Sequence, residues 1–153
     1  MEITYLKNLE FNPELVKGHP MRGWDEDQIL DLELKYNKGN SFPKAFREYL
    51  YLAGDYGGTG VINENWDQLR EDCKEDMKDF GVELDREFFI IDELDSMYSI
   101  FFLDKNEEDP TIYIFNAARE ENDIEPLLKA SLIGTFSQLI NEAIRRRKNN
   151  IPL

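Results

Sequence analysis

Apolar residues recur along this chain with two different periods, and the period changes after Asp85. Asp25 followed three residues later by Gln28 is a capping box, in which the carboxylate takes an orphan N–H and the amide reaches back. Ile29, Leu32 and Tyr36 then recur at i, i+3 and i+7, one face of a helix. Leu30, Leu32, Leu34 and Tyr36 also alternate with Asp31, Glu33 and Lys35, which is strand spacing. The capping box and the lack of β-branched residues after Ile29 decide for helix. A second helix starts at Ser41-Phe42-Pro43, with Pro43 in the first turn and Ser41 or Phe42 at the cap. Its stripe is Phe42, Ala45, Phe46, Tyr49, Leu50 and Ala53, ended by Gly54. A third, capped by Asn63 or Asn65, carries Trp66, Leu69, Cys73, Met77 and Phe80 to a stop at Gly81.

Strand spacing then takes over. Residues 88–91, 98–103 and 111–115 are apolar, β-branched or aromatic runs of strand length. Their polar separators, 95–97 and 104–110, are short enough for hairpins and predict an antiparallel meander. Residues 127–133 form a further apolar patch of no evident type. Thr135 and Gln138 make a second capping box, opening a terminal helix with Phe136, Leu139, Ile140, Ala143 and Ile144 inside. Residues 1–23 read as an irregular lead-in with an apolar cluster of Ile3, Tyr5, Leu6, Leu9 and Phe11. The expected class is α+β: a single domain over 1–153 with N-terminal helices, an antiparallel meander and a C-terminal helix packed on the sheet.

Composition narrows the function classes. The 153 residues suit one domain, and 10 Phe, 7 Tyr and 2 Trp supply more core material than a disordered chain carries. A net charge of −14 makes nucleic acid and an acidic membrane leaflet improbable partners. The N-terminal residues lack a signal-like apolar run, and no stretch nears the roughly 18 apolar residues of a membrane span. With Cys73 the only cysteine, no intrachain disulfide can form, and the expected compartment is the cytoplasm. Cys73 falls on an apolar stripe and reads as a buried structural thiol. His19, the only histidine, reads as a solvated loop residue, too little for a zinc site or a catalytic triad. No cofactor is expected.

Three local patterns invite chemistry and fail a closer test. The run from Asp55 to Gly60 has no Gly-Lys-Ser/Thr ending and follows no strand, so it reads as a turn rather than a phosphate loop. Asp104, Asn106 and Glu108 alternate like calcium ligands, but Asp109 stands where that loop needs glycine. Asp92, Glu93, Asp95 and Asp104 could suggest a carboxylate-metal hydrolase, yet acids at strand ends commonly just keep edges soluble. The cations Arg145 to Lys148 suit the negative end of their own helix.

The order of several motifs is more informative. A helix containing Glu33 leads into Phe42-Pro43-Lys44-Ala45-Phe46, which ends at Ala53-Gly54. The meander follows, with Leu103-Asp104 and Asp109-Pro110-Thr111-Ile112, then Thr135-Phe136-Ser137-Gln138. Over residues 24–147 this arrangement resembles the SUKH superfamily of bacterial toxin-immunity proteins and fungal cell-wall synthesis regulators. Glu33, Phe42, Pro43, Gly54, Asp104, Asp109, Pro110 and Phe136 occupy that family's motif places. The glycine-rich turn and the charged third helix depart from its pattern. The resemblance implies a non-enzymatic domain that binds and neutralises a cognate toxin, often a nuclease. The same fold could serve as a regulatory adaptor for endogenous proteins.

Charge suggests where such a partner would dock. Residues 64–125 hold 6 basic and 21 acidic residues, net −15, whereas residues 126–153 hold 5 basic and 1 acidic. An acidic surface attracts a basic partner and speeds encounter. The candidate partner-binding residues are therefore Glu71, Asp72, Glu75, Asp92, Glu93, Asp95, Asp104, Glu107, Glu108, Asp109, Glu120 and Glu121. The competing explanation is that the excess acid serves only solubility.

Overall fold

A computed structural model describes residues 1–60, 65–104, 106–119 and 124–152. The lead-in contributes a single helical turn, α1 (Lys7–Glu10), and helix α2 (Glu26–Asn37) follows. Its capping box forms as expected: Asp25 accepts the Gln28 N–H at 2.9 Å, and the Gln28 side chain accepts the Asp25 N–H at 3.0 Å. Of the two periods in this segment, the helical one holds: Ile29 and Tyr36 are buried, while Leu30 and Leu34 are exposed. Helix α3 (Lys44–Ala53) begins one residue later than the sequence suggests, with Pro43 itself at the N-cap in an extended conformation. All six residues of its stripe are buried. In α4 (Trp66–Asp79) the cap position is Asn65; the alternative, Asn63, lies outside the described residues.

The strands are β1 (Phe88–Leu94), β2 (Met97–Phe102), β3 (Thr111–Asn116) and β4 (Leu128–Thr135), and helix α5 (Phe136–Lys148) closes the fold. They form one antiparallel sheet in the order β1-β2-β3-β4, so the meander is present. Its fourth strand is the patch to which the sequence assigned no type. Strand alternation fails there because Thr111 pairs with Thr135 while Tyr113 pairs with Ala130, so residues 131–134 depart from the ladder. Leu132 is left fully exposed. Gly134, at φ 97°, takes the left-handed backbone from which the chain enters α5.

One face of the sheet meets α3 and α5 through a cluster of aromatic rings. Phe46 lies 5.3 Å from Phe101, 5.0 Å from Phe89 and 5.5 Å from Phe136, centroid to centroid. Tilted and edge-on pairs of this kind add about 0.5–1.5 kcal/mol each beyond their area burial. The other face carries Tyr98 stacked on Phe115, with Phe80 from the end of α4 set edge-on against Phe115. Cys73 is buried as expected, and burial pushes its thiol up to about 12. His19 is exposed.

Two carboxylates lie inside the protein. Glu33 is 1% exposed and accepts the Phe42 N–H at 2.7 Å, with the Arg47 guanidinium 3.1 Å away. Burial raises its pKa, and the Phe42 N–H and Arg47 act against that rise. Glu48 is wholly buried and accepts the backbone N–H groups of Thr4, Tyr5 and Leu6 at 2.7, 2.8 and 2.9 Å. It ties the irregular lead-in to α3 and holds Ile3, Leu6 and Leu9 in the core.

Candidate interaction surface

Of the twelve acids selected from the sequence, ten lie among the described residues, those of β1, its hairpin and the β2–β3 loop at opposite ends of the sheet and three on α4. At one end the two-residue turn Asp95-Ser96 joins β1 to β2, both residues at positive φ (51° and 59°), the pattern of a type I′ hairpin. Glu93 accepts the Ser96 N–H at 2.6 Å and faces Tyr98 across the strand pair. The Tyr98 hydroxyl donates to Asp76 of α4 at 2.6 Å. Burial, then Asp76, raise the Tyr98 pKa. Asp72 stands one turn before Asp76 on the same side of α4, whereas Glu71 and Glu75 lie on the exposed side, away from the buried stripe of Trp66, Leu69, Cys73 and Met77. Asp72 accepts a hydrogen bond from Gln68 at 2.7 Å; Glu71, Glu75 and Asp95 are exposed and form no salt bridge among the described residues.

Asp92 differs from its neighbours. The register shifts between Ile90 and Asp92, and that bulge leaves Asp92 opposite Ser99 in a partly buried position. Desolvation pushes its carboxyl up to about 7, with the adjacent Glu93 charge contributing. Beyond it the tip of the hairpin is apolar. Leu94 and Met97 pair across the strands, yet are 59% and 39% exposed. Leu94 stands between Glu93 and Asp95, so this exposed apolar pair has acids beside it, the combination of apolar centre and polar edge found in protein-binding patches.

The second group occupies the β2–β3 loop, and here every acid has an internal partner. Arg86 grips Asp104 through two 2.7 Å hydrogen bonds while its guanidinium lies 3.6 Å above the Phe102 ring. Glu107 accepts the Thr111 N–H at 3.1 Å. Glu108 accepts the Tyr5 hydroxyl at 2.7 Å, and its carbonyl accepts the Ala45 N–H at 2.8 Å. Asp109 accepts the Ser137 N–H at 2.9 Å and its hydroxyl at 2.7 Å, so it helps cap α5. These bonds fasten the loop to the lead-in and to the starts of α3 and α5. Glu120 and Glu121 lie outside the described residues.

The residues that carry the family resemblance meet one another in the same framework. Glu33 receives the Phe42 N–H, and the buried Pro110 accepts the Phe136 N–H at 2.9 Å. A Cβ on Gly54 would fall 2.5 Å from the Leu50 carbonyl oxygen and 2.9 Å from Trp24, so no larger residue fits there. Asp104 is remote from Asp92, Glu93 and Asp95, so the four acids weighed as a hydrolase site do not converge. Among the described residues no group of three His, Cys, Asp or Glu is placed to hold a metal ion, and no helix is long and apolar enough to cross a membrane. The sequence reading missed the apolar pair at the hairpin tip; the signal was Leu94 and Met97 flanking a two-residue turn. No protein-family model, curated protein or solved structure matches the chain.

Proposed function

We propose that this protein is an immunity protein that binds a cognate toxin domain without covalent chemistry, using the hairpin end of the sheet. The observation that carries the reading is the exposed Leu94–Met97 pair at a hairpin tip that also carries Glu93 and Asp95. Such a surface suits a partner with an apolar depression inside a cationic rim, as on a nuclease that must itself attract phosphate. The acids steer encounter, and the apolar pair supplies the desolvated centre where binding energy concentrates.

The test uses the toxin domain encoded beside the gene. Wild-type protein abolishes its activity at near-stoichiometric ratio. Leu94→Arg with Met97→Arg relieves that inhibition by accelerating dissociation, and Glu71→Lys with Glu75→Lys slows association in a way that added salt masks. Substitutions at Glu107 and Glu108 are poorer probes, because both residues hold the β2–β3 loop. Full toxin activity in excess wild-type protein would refute the immunity reading. Unimpaired inhibition by all four substitutions together would move the interface elsewhere.

A further inference from the structure

A second site lies in a hollow of about 250 Å³ between the carboxyl end of α3, the glycine-rich turn and α5. Four features give it a chemical character. Trp66 lines it, is 5% exposed, and its indole N–H is buried without a hydrogen-bond partner among the described residues. Buried donors are nearly always paired, so an unpaired one needs an explanation. The hydroxyls of Tyr49 and Thr59, both buried, sit 3.2 Å apart in the lining. The backbone N–H groups of residues 57–60, on the bordering turn, donate to no acceptor among the described residues. Arg147 completes the lining as an exposed cation with no carboxylate partner there.

Acids make up 32 of the 153 residues, yet among the described residues none lines this space, where hydrogen-bond donors and the Arg147 cation do. The glycines also have a steric role: a Cβ on Gly57 would collide with the Tyr49 hydroxyl, and Gly58 and Gly60 have φ of 64° and 71°. That requirement explains why the turn is glycine-rich, and it leaves the Trp66 donor and Arg147 unexplained.

We infer that this hollow binds a small oxyanion, the phosphate or carboxylate group of a ligand, with Arg147 supplying the charge and Trp66 and the glycine-rich turn supplying N–H donors. The carbonyl end of α3 borders the site and opposes an anion, so the cation is indispensable rather than auxiliary. The site is separate from the hairpin end and does not depend on the toxin-binding reading.

The test is a heteronuclear NMR titration of the full chain with inorganic phosphate in one arm and acetate in the other, at ionic strength held constant with sodium chloride. Saturable shifts of the Trp66 indole and of the amides of residues 57–60 are expected through the millimolar range, and the stronger arm identifies the ligand chemistry. Arg147→Gln, on an exposed helix end, should leave the melting curve in place and weaken binding about tenfold or more, the usual consequence of losing a charge-assisted hydrogen bond. Thr59→Val provides a second, uncharged probe and should also weaken binding. Absence of a saturable shift in both arms, or undiminished binding by Arg147→Gln, would overturn the assignment.

Discussion

Removing the Glu48 carboxylate isolates the device that fastens the first residues to the rest of the fold. Glu48→Ala strands three backbone donors, those of Thr4, Tyr5 and Leu6. Leu6 is fully buried, so its N–H bears the whole desolvation cost of about 1–3 kcal/mol. Thr4 is exposed and Tyr5 half-buried, so water recovers part of the loss there. With the void left by the side chain, the total is about 3–5 kcal/mol, a large share of the 5–15 kcal/mol that holds a typical domain together. Glu48→Gln retains two acceptor bonds if its oxygen faces Tyr5 and Leu6, but it turns an amide N–H₂ toward the Thr4 N–H. It should cost about 1.5–3 kcal/mol. Urea denaturation measures both, and an unchanged slope assigns the loss to global stability rather than to local detachment of the lead-in. Hydrogen exchange at the Leu6 amide gives a local check. A Glu48→Ala variant within about 0.5 kcal/mol of wild type, with Leu6 still protected, would refute this account.

Asp92 predicts a pH dependence of definite sign. Its folded pKa, about 7, lies above the usual carboxylate value, so the folded state holds the proton more tightly. The stability this brings is fully present below about pH 4 and fades as pH rises through 7. Asp92→Asn should therefore be more stable than wild type at pH 8 by about 1–2 kcal/mol, allowing for solvent screening of a partly exposed group, and nearly equal to it at pH 4. A difference that does not change with pH would contradict the assignment. Cys73 should resist thiol reagents at pH 8 in the native protein and react once urea unfolds it, because burial holds the thiol protonated and out of reach. Rapid labelling of native protein would place the thiol at the surface.

The four longer helices were legible because each buries a stripe wide enough to show in the sequence, and two of them also carry capping boxes; α1, a single turn burying only Leu9, was not. Three strands were legible from their β-branched and aromatic runs. β4 was not, since a strand that leaves its ladder at residues 131–134 cannot keep alternation, and its solvated residues resemble a linker. The buried carboxylates were readable in principle. Glu33 stands four residues after Ile29 and three before Tyr36, and Glu48 three residues after Ala45, so both fall on buried helix faces. A carboxylate on such a face argues for a partner inside the fold. The acidic block was visible as a block. Its division was not, because whether an acid is engaged depends on residues such as Tyr5, Arg86 and Ser137, brought to it only by folding.

That division has a consequence for how the two ends of the sheet can vary. The acids of the β2–β3 loop each satisfy a backbone donor, a hydroxyl or a guanidinium, so replacing one strands its partner and costs stability. Asp95 at the hairpin tip and Glu71 and Glu75 on the exposed side of α4 form no salt bridge among the described residues, and Leu94 and Met97 contribute little to the core while they remain exposed. Charge there can be altered at small cost to the fold, because surface substitutions away from such partners usually fall within about 0.5 kcal/mol. A protein whose partner changes needs its variable positions where folding makes no demand on them. On the reading proposed above, the hairpin end meets that condition and the β2–β3 loop does not. Exchange of these five residues should therefore redirect binding without moving the urea midpoint, whereas changes at the four loop acids should lower the midpoint before binding can be assayed.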